Sequence, residues 1–321
     1  MNGADIRAAL TLMLQGEMDT PQIVDTLIQI EAEGVGAEQL AAGAAVMREH
    51  MTRVTVPENA IDIVGTGGTG LKLLSISTAT AFVVAGAGVP VAKHGNRGAS
   101  SPTGTADTQS ELGINIAMPP DRAAAAVSEV GMGFLFAPTY HPAMRFVGPA
   151  RKQIGKRTIF NRLGPLSNPA DVKTMLLGTS ESHLVHPMAE ALKTNSVSSA
   201  MVVHGHDGMD EITTTGPTSV AQLGQGKITE FEMTPGEFEL KQATLSDLSG
   251  GEPAVNAAAL TALLGGETSA YRDIVLLNAG AALSITGKAI DIKQGIALAA
   301  ESLDSGKAKS VLTRLAEFSH G

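Results

Sequence analysis

The sequence predicts an α/β fold: a large domain with a mostly parallel central sheet flanked by helices, plus a small all-helical domain. Three observations predict it. From Ile61 onward, short β-branched runs (61–64, 89–92, 175–177 and 200–204) alternate with helical stretches such as 122–130 and 184–193, the pattern of a parallel sheet covered by helices. The first fifty or so residues carry helical patterning alone. The 36 glycines in 321 residues suit a turn-rich α/β protein better than a helical bundle. A chain of this length holds one large domain or two, and two fit better, one of them small.

Taken in order, Thr20 caps and Pro21 opens a helix whose stripe is Ile23, Leu27 and Ile30, with Gly34 as its stop. Residues 37–51 form a third, alanine-rich helix. Helices this short bury little alone, so they pack on the rest of the chain or on a second subunit. An apolar strand at 61–64 then runs into the turn Gly65-Thr66-Gly67-Gly68-Thr69-Gly70. A small-residue helix begins near Ser77-Thr78, and a second strand delivers the turn Lys93-His94-Gly95-Asn96-Arg97. The stretch 218–240 reads as antiparallel strands or a long loop. Helices resume near Asn256 and run to the end, with breaks at Gly280 and Gly287.

Composition narrows the function classes. With 43% hydrophobic but only 3% aromatic residues and no Trp, the core is built from aliphatic side chains and Met. A formal charge of −9 argues against a general nucleic-acid binder, which needs a basic face. The absence of cysteine excludes disulfides, thiolate metal sites and cysteine nucleophiles. No apolar run reaches the length of a membrane span, and residues 1–5 lack the charged start and apolar core of a signal peptide, so a soluble cytoplasmic protein is expected.

Parallel strands bring their loops to one sheet edge, so both glycine turns are expected to face one crevice. Glycines there free backbone N–H groups to wrap an anion, and the following helix N-terminus adds positive potential. Lys93 and Arg97 are counter-charges for a phosphorylated small molecule. The first turn alone is either such a cradle or merely a tight connection; it matches neither the Walker nor the dinucleotide pattern. Five cations, Arg145, Arg151, Lys152, Lys156 and Arg157, crowd a segment of this acidic chain. Most of them read as a solvated helix face, with at least one free to meet an acidic substrate. Downstream, Asp207, Asp210 and Glu211 leave a strand end together. Oxygen ligands on a loop suit Mg²⁺, which keeps its waters and bridges to substrate phosphates; a helix N-terminus rich in acids is the alternative. His204 and His206 read as structural rather than as metal ligands.

These motifs together resemble the anthranilate phosphoribosyltransferase family, nearly end to end. The match runs through Gly65-Thr66-Gly67-Gly68, Ser77-Thr78, Lys93-His94-Gly95-Asn96-Arg97, Gly104-Thr105-Ala106-Asp107 and His141-Pro142-Ala143-Met144. It continues through Arg157-Thr158-Ile159-Phe160-Asn161, Leu163-Gly164-Pro165-Leu166, Asn168-Pro169-Ala170, Asp207-Gly208-Met209-Asp210-Glu211, Arg272-Asp273 and Leu276-Leu277-Asn278-Ala279. The resemblance implies transfer of the phosphoribosyl group of 5-phosphoribosyl 1-diphosphate to the amine of anthranilate, a step of tryptophan biosynthesis, with Mg²⁺ assisting departure of diphosphate. It also implies a homodimer joined through the helical part, residues 1–58 plus about 140–163 forming that small domain, and 59–139 plus 164–321 the large one. Ile23, Leu27 and Ile30 are then expected near the dimer interface.

Carried over by position, the resemblance puts Gly65, Gly67, Gly68 and Thr69 at the phosphoribosyl diphosphate, together with Ser75, Ser77, Thr78, Lys93, Asn96 and Ser101. It gives Ser77, Asp210 and Glu211 to the metal and makes Lys93, Asn96 and Arg151 the catalytic set. Gly65, Asn96, His141, Arg151, Gly164 and Pro165 would receive anthranilate, with Arg151 on its carboxylate. The family usually has Asp where this chain has Thr69 and Asn where it has Ser75; Pro102-Thr103 also replaces a usual Lys and Ser. A lost charge-assisted hydrogen bond costs on the order of 1.5–3 kcal/mol. A divergent paralogue with another acceptor or low activity is therefore the alternative. Neither reading calls for a nucleic acid or a membrane as partner.

Overall fold

The computed structural model describes residues 1–98 and 103–321. Three helices lead: α1 (Gly3–Gln15), α2 (Thr20–Glu33) and α3 (Ala37–Glu49). The cap of α2 is Asp19 rather than Thr20. Its carboxylate accepts the Gln22 N–H at 2.9 Å while the Gln22 side chain accepts the Asp19 N–H, a reciprocal pair that Thr20 has no partner to form.

The α/β part follows as β1 (Ile61–Gly65), α4 (Ile76–Gly86), β2 (Val91–Gly95), α5 (Thr105–Glu111), α6 (Pro120–Glu129) and β3 (Met132–Phe136). Short helices α7 (Ala137–Tyr140), α8 (Gly148–Ile154) and α9 (Ile159–Leu163) lead to β4 (Thr174–Gly178), α10 (Val185–Thr194) and β5 (Ser199–Gly205). A hairpin of β6 (Thr218–Gly224) and β7 (Lys227–Met233) resolves the ambiguous stretch as antiparallel strands. Four helices close the chain: α11 (Pro253–Leu264), α12 (Ala270–Ile285), α13 (Ile292–Asp304) and α14 (Lys307–His320).

One seven-stranded sheet runs β3-β2-β1-β4-β5-β6-β7, with β1 to β5 mutually parallel and β6 and β7 antiparallel. The order reverses between β1 and β4: one branch grows toward β3, the other toward β7. Loops leaving the carboxyl ends of strands on either side of such a reversal diverge and open a crevice. Gly65 and Gly178 are register partners at that end.

The stripe Ile23, Leu27 and Ile30 is buried inside this chain, where α2 packs on α8 and α9. It therefore offers nothing to a dimer interface, contrary to expectation. The exposed large apolar residues of the first two helices are Leu12 and Ile28. Gly280 is not a break either. It lies within α12 where α13 crosses, and a Cβ there would come 2.6 Å from Ile296 Cγ1 and 2.9 Å from the Ile292 carbonyl oxygen. Gly280→Ala should accordingly lower the unfolding free energy by about 1–3 kcal/mol through overpacking, read from urea denaturation midpoints.

Candidate active site

A cleft of about 330 Å³ opens at the reversal of strand order. The first turn contributes Gly65, Gly67, Gly68 and Thr69, and the start of α4 contributes Ser75, Ser77 and Thr78. Lys93 and Asn96 come from the end of β2 and its turn, Asp210 and Glu211 from the loop after β5. Arg151 on α8 and Gly164 and Pro165 after α9 close the opposite side. His141 is not on the wall. It is buried behind it, with its ring centroid 5.2 Å from that of His94. Ser101 lies outside the described residues.

In the first turn Gly67, Gly68 and Gly70 take positive φ values of 64°, 72° and 73°. Chains of L-residues rarely adopt such a run, and it exposes successive N–H groups on one side. The Gly67 N–H donates to Asp210 Oδ2 at 2.7 Å. The N–H groups of Gly68, Thr69 and Gly70 have no partner among the described residues. The Thr69 hydroxyl turns back to accept the Leu71 N–H at 3.1 Å, and Ser75 Oγ pairs with Thr108 Oγ1 at 2.7 Å. Ser75 also accepts from Asn256 Nδ2 at 3.2 Å. Asn256 lines the cleft and went unforeseen, because α11 is far away in sequence and carries no local motif.

Among the acids, Asp207 serves its own loop. It accepts from the Met209 N–H at 3.0 Å and from the hydroxyls of Thr213 and Thr215. Asp210 and Glu211 face the cleft. Glu211 Oε2 is buried with no partner among the described residues. Burial, then the neighbouring Asp210, pushes the Glu211 carboxyl well above the ordinary range, against the pull of Lys93. An orphaned buried carboxylate oxygen beside a second carboxylate, with Ser77 lining the same cleft, fits a hard cation holding most of its own waters. No group of three or more His, Cys, Asp or Glu residues suited to a metal occurs among the described residues. Lys93 is buried, donates to the Ile63 carbonyl oxygen and has its pKa pulled down to about 8 by burial. His204 and His206 are structural: His204 Nδ1 donates to the Thr179 carbonyl oxygen and His206 Nε2 pairs with the Ser219 hydroxyl, both at 2.8 Å.

Two cations part company. Arg97, read as a counter-charge, lines the cleft and also pairs with Asp107 at 2.7 Å, while Asp107 accepts the Gly98 and Gly104 N–H groups. It closes the second turn. Arg151 is partly buried, 3.3 Å from Asn161 Oδ1, and no carboxylate faces it among the described residues. A guanidinium held at a cleft wall without an acidic partner is a receptor for one.

Comparisons with known proteins identify the family and its fold. A family model described as "Glycosyl transferase family, a/b domain" matches residues 57–309. The anthranilate phosphoribosyltransferase of Parvibaculum lavamentivorans is 52% identical over 100% of this chain and 94% of its own length. The crystal structure of anthranilate phosphoribosyltransferase from Thermus thermophilus superposes with a TM-score of 0.94 at 40% identity, covering 100% of this chain and 96% of that one. The Saccharomyces cerevisiae enzyme in complex with PRPP and Mg gives 0.91 at 27% identity, over 99% and 93%.

Burial holds His94 down at about 3 and His141 at about 4, both far below 6.5. The folded state then binds fewer protons than the unfolded chain, so their contribution is complete above pH 6.5 and is lost as pH falls toward 4. Asp62, buried and raised from 3.8 to about 6, works in the opposite sense between those values. His94→Gln should flatten the loss of melting temperature between pH 7 and pH 5 relative to the unmodified protein, as followed by circular dichroism.

Proposed function

The chain belongs to the anthranilate phosphoribosyltransferase family, and on that premise we propose how its cleft divides the work. The enzyme transfers the phosphoribosyl group of 5-phosphoribosyl 1-diphosphate to the amine of anthranilate, giving N-(5-phosphoribosyl)anthranilate and diphosphate. The observation that carries the reading is the pairing of N–H groups at Gly68, Thr69 and Gly70 that have no partner among the described residues with a guanidinium, Arg151, that has no acidic partner among them, in one cleft. The comparisons give no support to a paralogue acting on another acceptor.

In this scheme the diphosphate lies on the N–H groups of the first turn, with Gly65 and Gly67 allowing close approach. The N-terminus of α4, bearing Ser75, Ser77 and Thr78, faces the phosphates. Ser77, Asp210 and Glu211 would hold Mg²⁺, which when bound neutralises charge on the leaving diphosphate. Lys93 lies beneath the acid pair and offsets its charge from below. Asn96 faces the sugar and the acceptor. Arg151 takes the anthranilate carboxylate in a forked contact, and Gly164-Pro165 lines the acceptor side.

The amine attacks ribose C1 from the face opposite the diphosphate. The C–N bond forms as the C–O bond breaks, and the amine proton leaves to solvent or the departing phosphate. An aromatic amine is already a neutral nucleophile, so positioning and charge stabilisation carry the rate. Residues 1–58 with about 140–163 form the smaller, helical unit in this reading, and α8 carries Arg151 from it to the cleft. A homodimer would bury the exposed Leu12 and Ile28 of that unit, and a cytoplasmic location matches the soluble substrates. No helix among the described residues is long and apolar enough to cross a membrane.

Anthranilate consumption followed by its fluorescence, with 5-phosphoribosyl 1-diphosphate over a Mg²⁺ series, tests the reading. Metal-dependent turnover is expected, and none under any Mg²⁺ concentration would defeat it. Arg151→Ala should raise the Michaelis constant for anthranilate by about tenfold or more, while that for 5-phosphoribosyl 1-diphosphate stays within about twofold. Equal effects on both constants would remove its assigned role. Sedimentation at micromolar concentration should give a dimer that Ile28→Glu weakens.

A further inference from the structure

Behind the first turn, on the side away from the cleft, the guanidinium of Arg157 makes three contacts that the scheme above leaves unused. Its Nη2 donates to the Gly67 carbonyl oxygen at 2.9 Å and its Nη1 to Ser180 Oγ at 2.8 Å. Ser180 Oγ itself donates to the same Gly67 carbonyl at 2.9 Å, and the Ser180 N–H reaches Thr66 Oγ1 at 3.2 Å. The guanidinium lies against Gly68 so closely that a Cβ there would come 2.7 Å from Cζ. With the Thr66 hydroxyl at 3.2 Å, three donors therefore converge on one carbonyl, and Arg157 reaches it across a neighbour that lacks a side chain.

The peptide unit joining Gly67 to Gly68 carries that carbonyl and the Gly68 N–H. The bond is trans, so the two groups point in opposite directions. Fixing the carbonyl onto Arg157 and Ser180 aims the Gly68 N–H the other way, toward the cleft. Glycine on both sides leaves this peptide free to flip at little cost, so an outside restraint must choose its orientation. The restraint is itself anchored. Glu181 lies 3.6 Å from Arg157 and is gripped by Arg162 through two hydrogen bonds of 3.0 and 2.8 Å. Arg162 also holds Glu31 of α2 at 2.9 and 2.8 Å.

We propose that Arg157 is a positioning residue for the phosphoribosyl diphosphate: it sets the Gly67–Gly68 peptide with its N–H toward the leaving group. Its hold on the turn is tied to helix α2 through Glu181, Arg162 and Glu31. The proposal rests on the phosphoribosyltransferase reading, since the diphosphate is the anion so received. The fixed charge of Arg157 also adds to the positive potential behind the turn.

Calorimetric titration of Mg²⁺-5-phosphoribosyl 1-diphosphate into the unmodified chain, Arg157→Met, Arg157→Lys and Ser180→Ala tests it, alongside both Michaelis constants and the melting temperature. Arg157→Met should weaken diphosphate binding by about tenfold or more, with the anthranilate constant within about twofold and melting close to the unmodified protein. Arg157→Lys should recover part of the loss, because a single ammonium can keep the Gly67 contact but not the flat contact with Gly68. Ser180→Ala should shift the same constant in the same direction by less. Unchanged binding in Arg157→Met would overturn the proposal, as would parallel loss of both substrates with a lowered melting temperature. Failure of the unmodified chain to bind the compound would instead overturn the functional reading beneath it.

Discussion

The close approach of Asp210 to the end of the sheet is the constraint on which the rest of this site depends. Gly65 and Gly178 are register partners at the carboxyl ends of β1 and β4, and Asp210 lies over both. A Cβ on Gly65 would come 2.2 Å from Asp210 Oδ2, and one on Gly178 would come 1.5 Å from its carbonyl oxygen. Without side chains at those two positions the acidic loop settles onto the strand ends, and its carboxylate reaches the Gly67 N–H. One contact thereby joins the first glycine turn to the Asp210-Glu211 pair.

The electrostatics follow from that approach. Bringing Asp210 and Glu211 down to the sheet buries like charges side by side, which is costly unless a cation stands nearby. Lys93 stands there, buried beneath them with its ammonium on the Ile63 carbonyl, and Asp62 balances it from below. Asp62 in turn accepts the His94 N–H at 3.1 Å and Asn168 Nδ2 at 2.8 Å, so the second turn hangs on the same network. The buried Glu211 Oε2 has no partner among the described residues in this balance. A site organised this way meets a charged leaving group with groups already in place, which is where electrostatic catalysis gains most.

Features whose chemistry is local were legible in the sequence. The glycine turns, the adjacent Asp210-Glu211 pair and the strand-helix alternation are each written within a few consecutive residues, and the cleft brings them together. The pairing of Arg97 with Asp107 was not legible, because Asp107 sits in the first turn of α5, where nothing in the glycine turn itself announces it. The Ile23 stripe was rightly seen as apolar, but an amphipathic pattern says that a face is covered and not by what; α8 and α9 of the same chain cover it. Asp19 and Thr20 are both capable caps, and the deciding residue was Gln22, three places after Asp19. Arg157 and Asn256 stayed hidden because their roles exist only after distant segments meet at the first turn.

A crystal structure of the protein with 5-phosphoribosyl 1-diphosphate and Mg²⁺ tests the central claim most directly. The account predicts diphosphate oxygens within hydrogen-bond reach of the Gly68, Thr69 and Gly70 N–H groups, the metal beside Asp210 and Glu211, and the Asp210–Gly67 contact retained. Diphosphate bound away from this turn, or a turn that releases Asp210 and refolds around the ligand, would contradict a cradle set in advance by the glycine-lined strand ends.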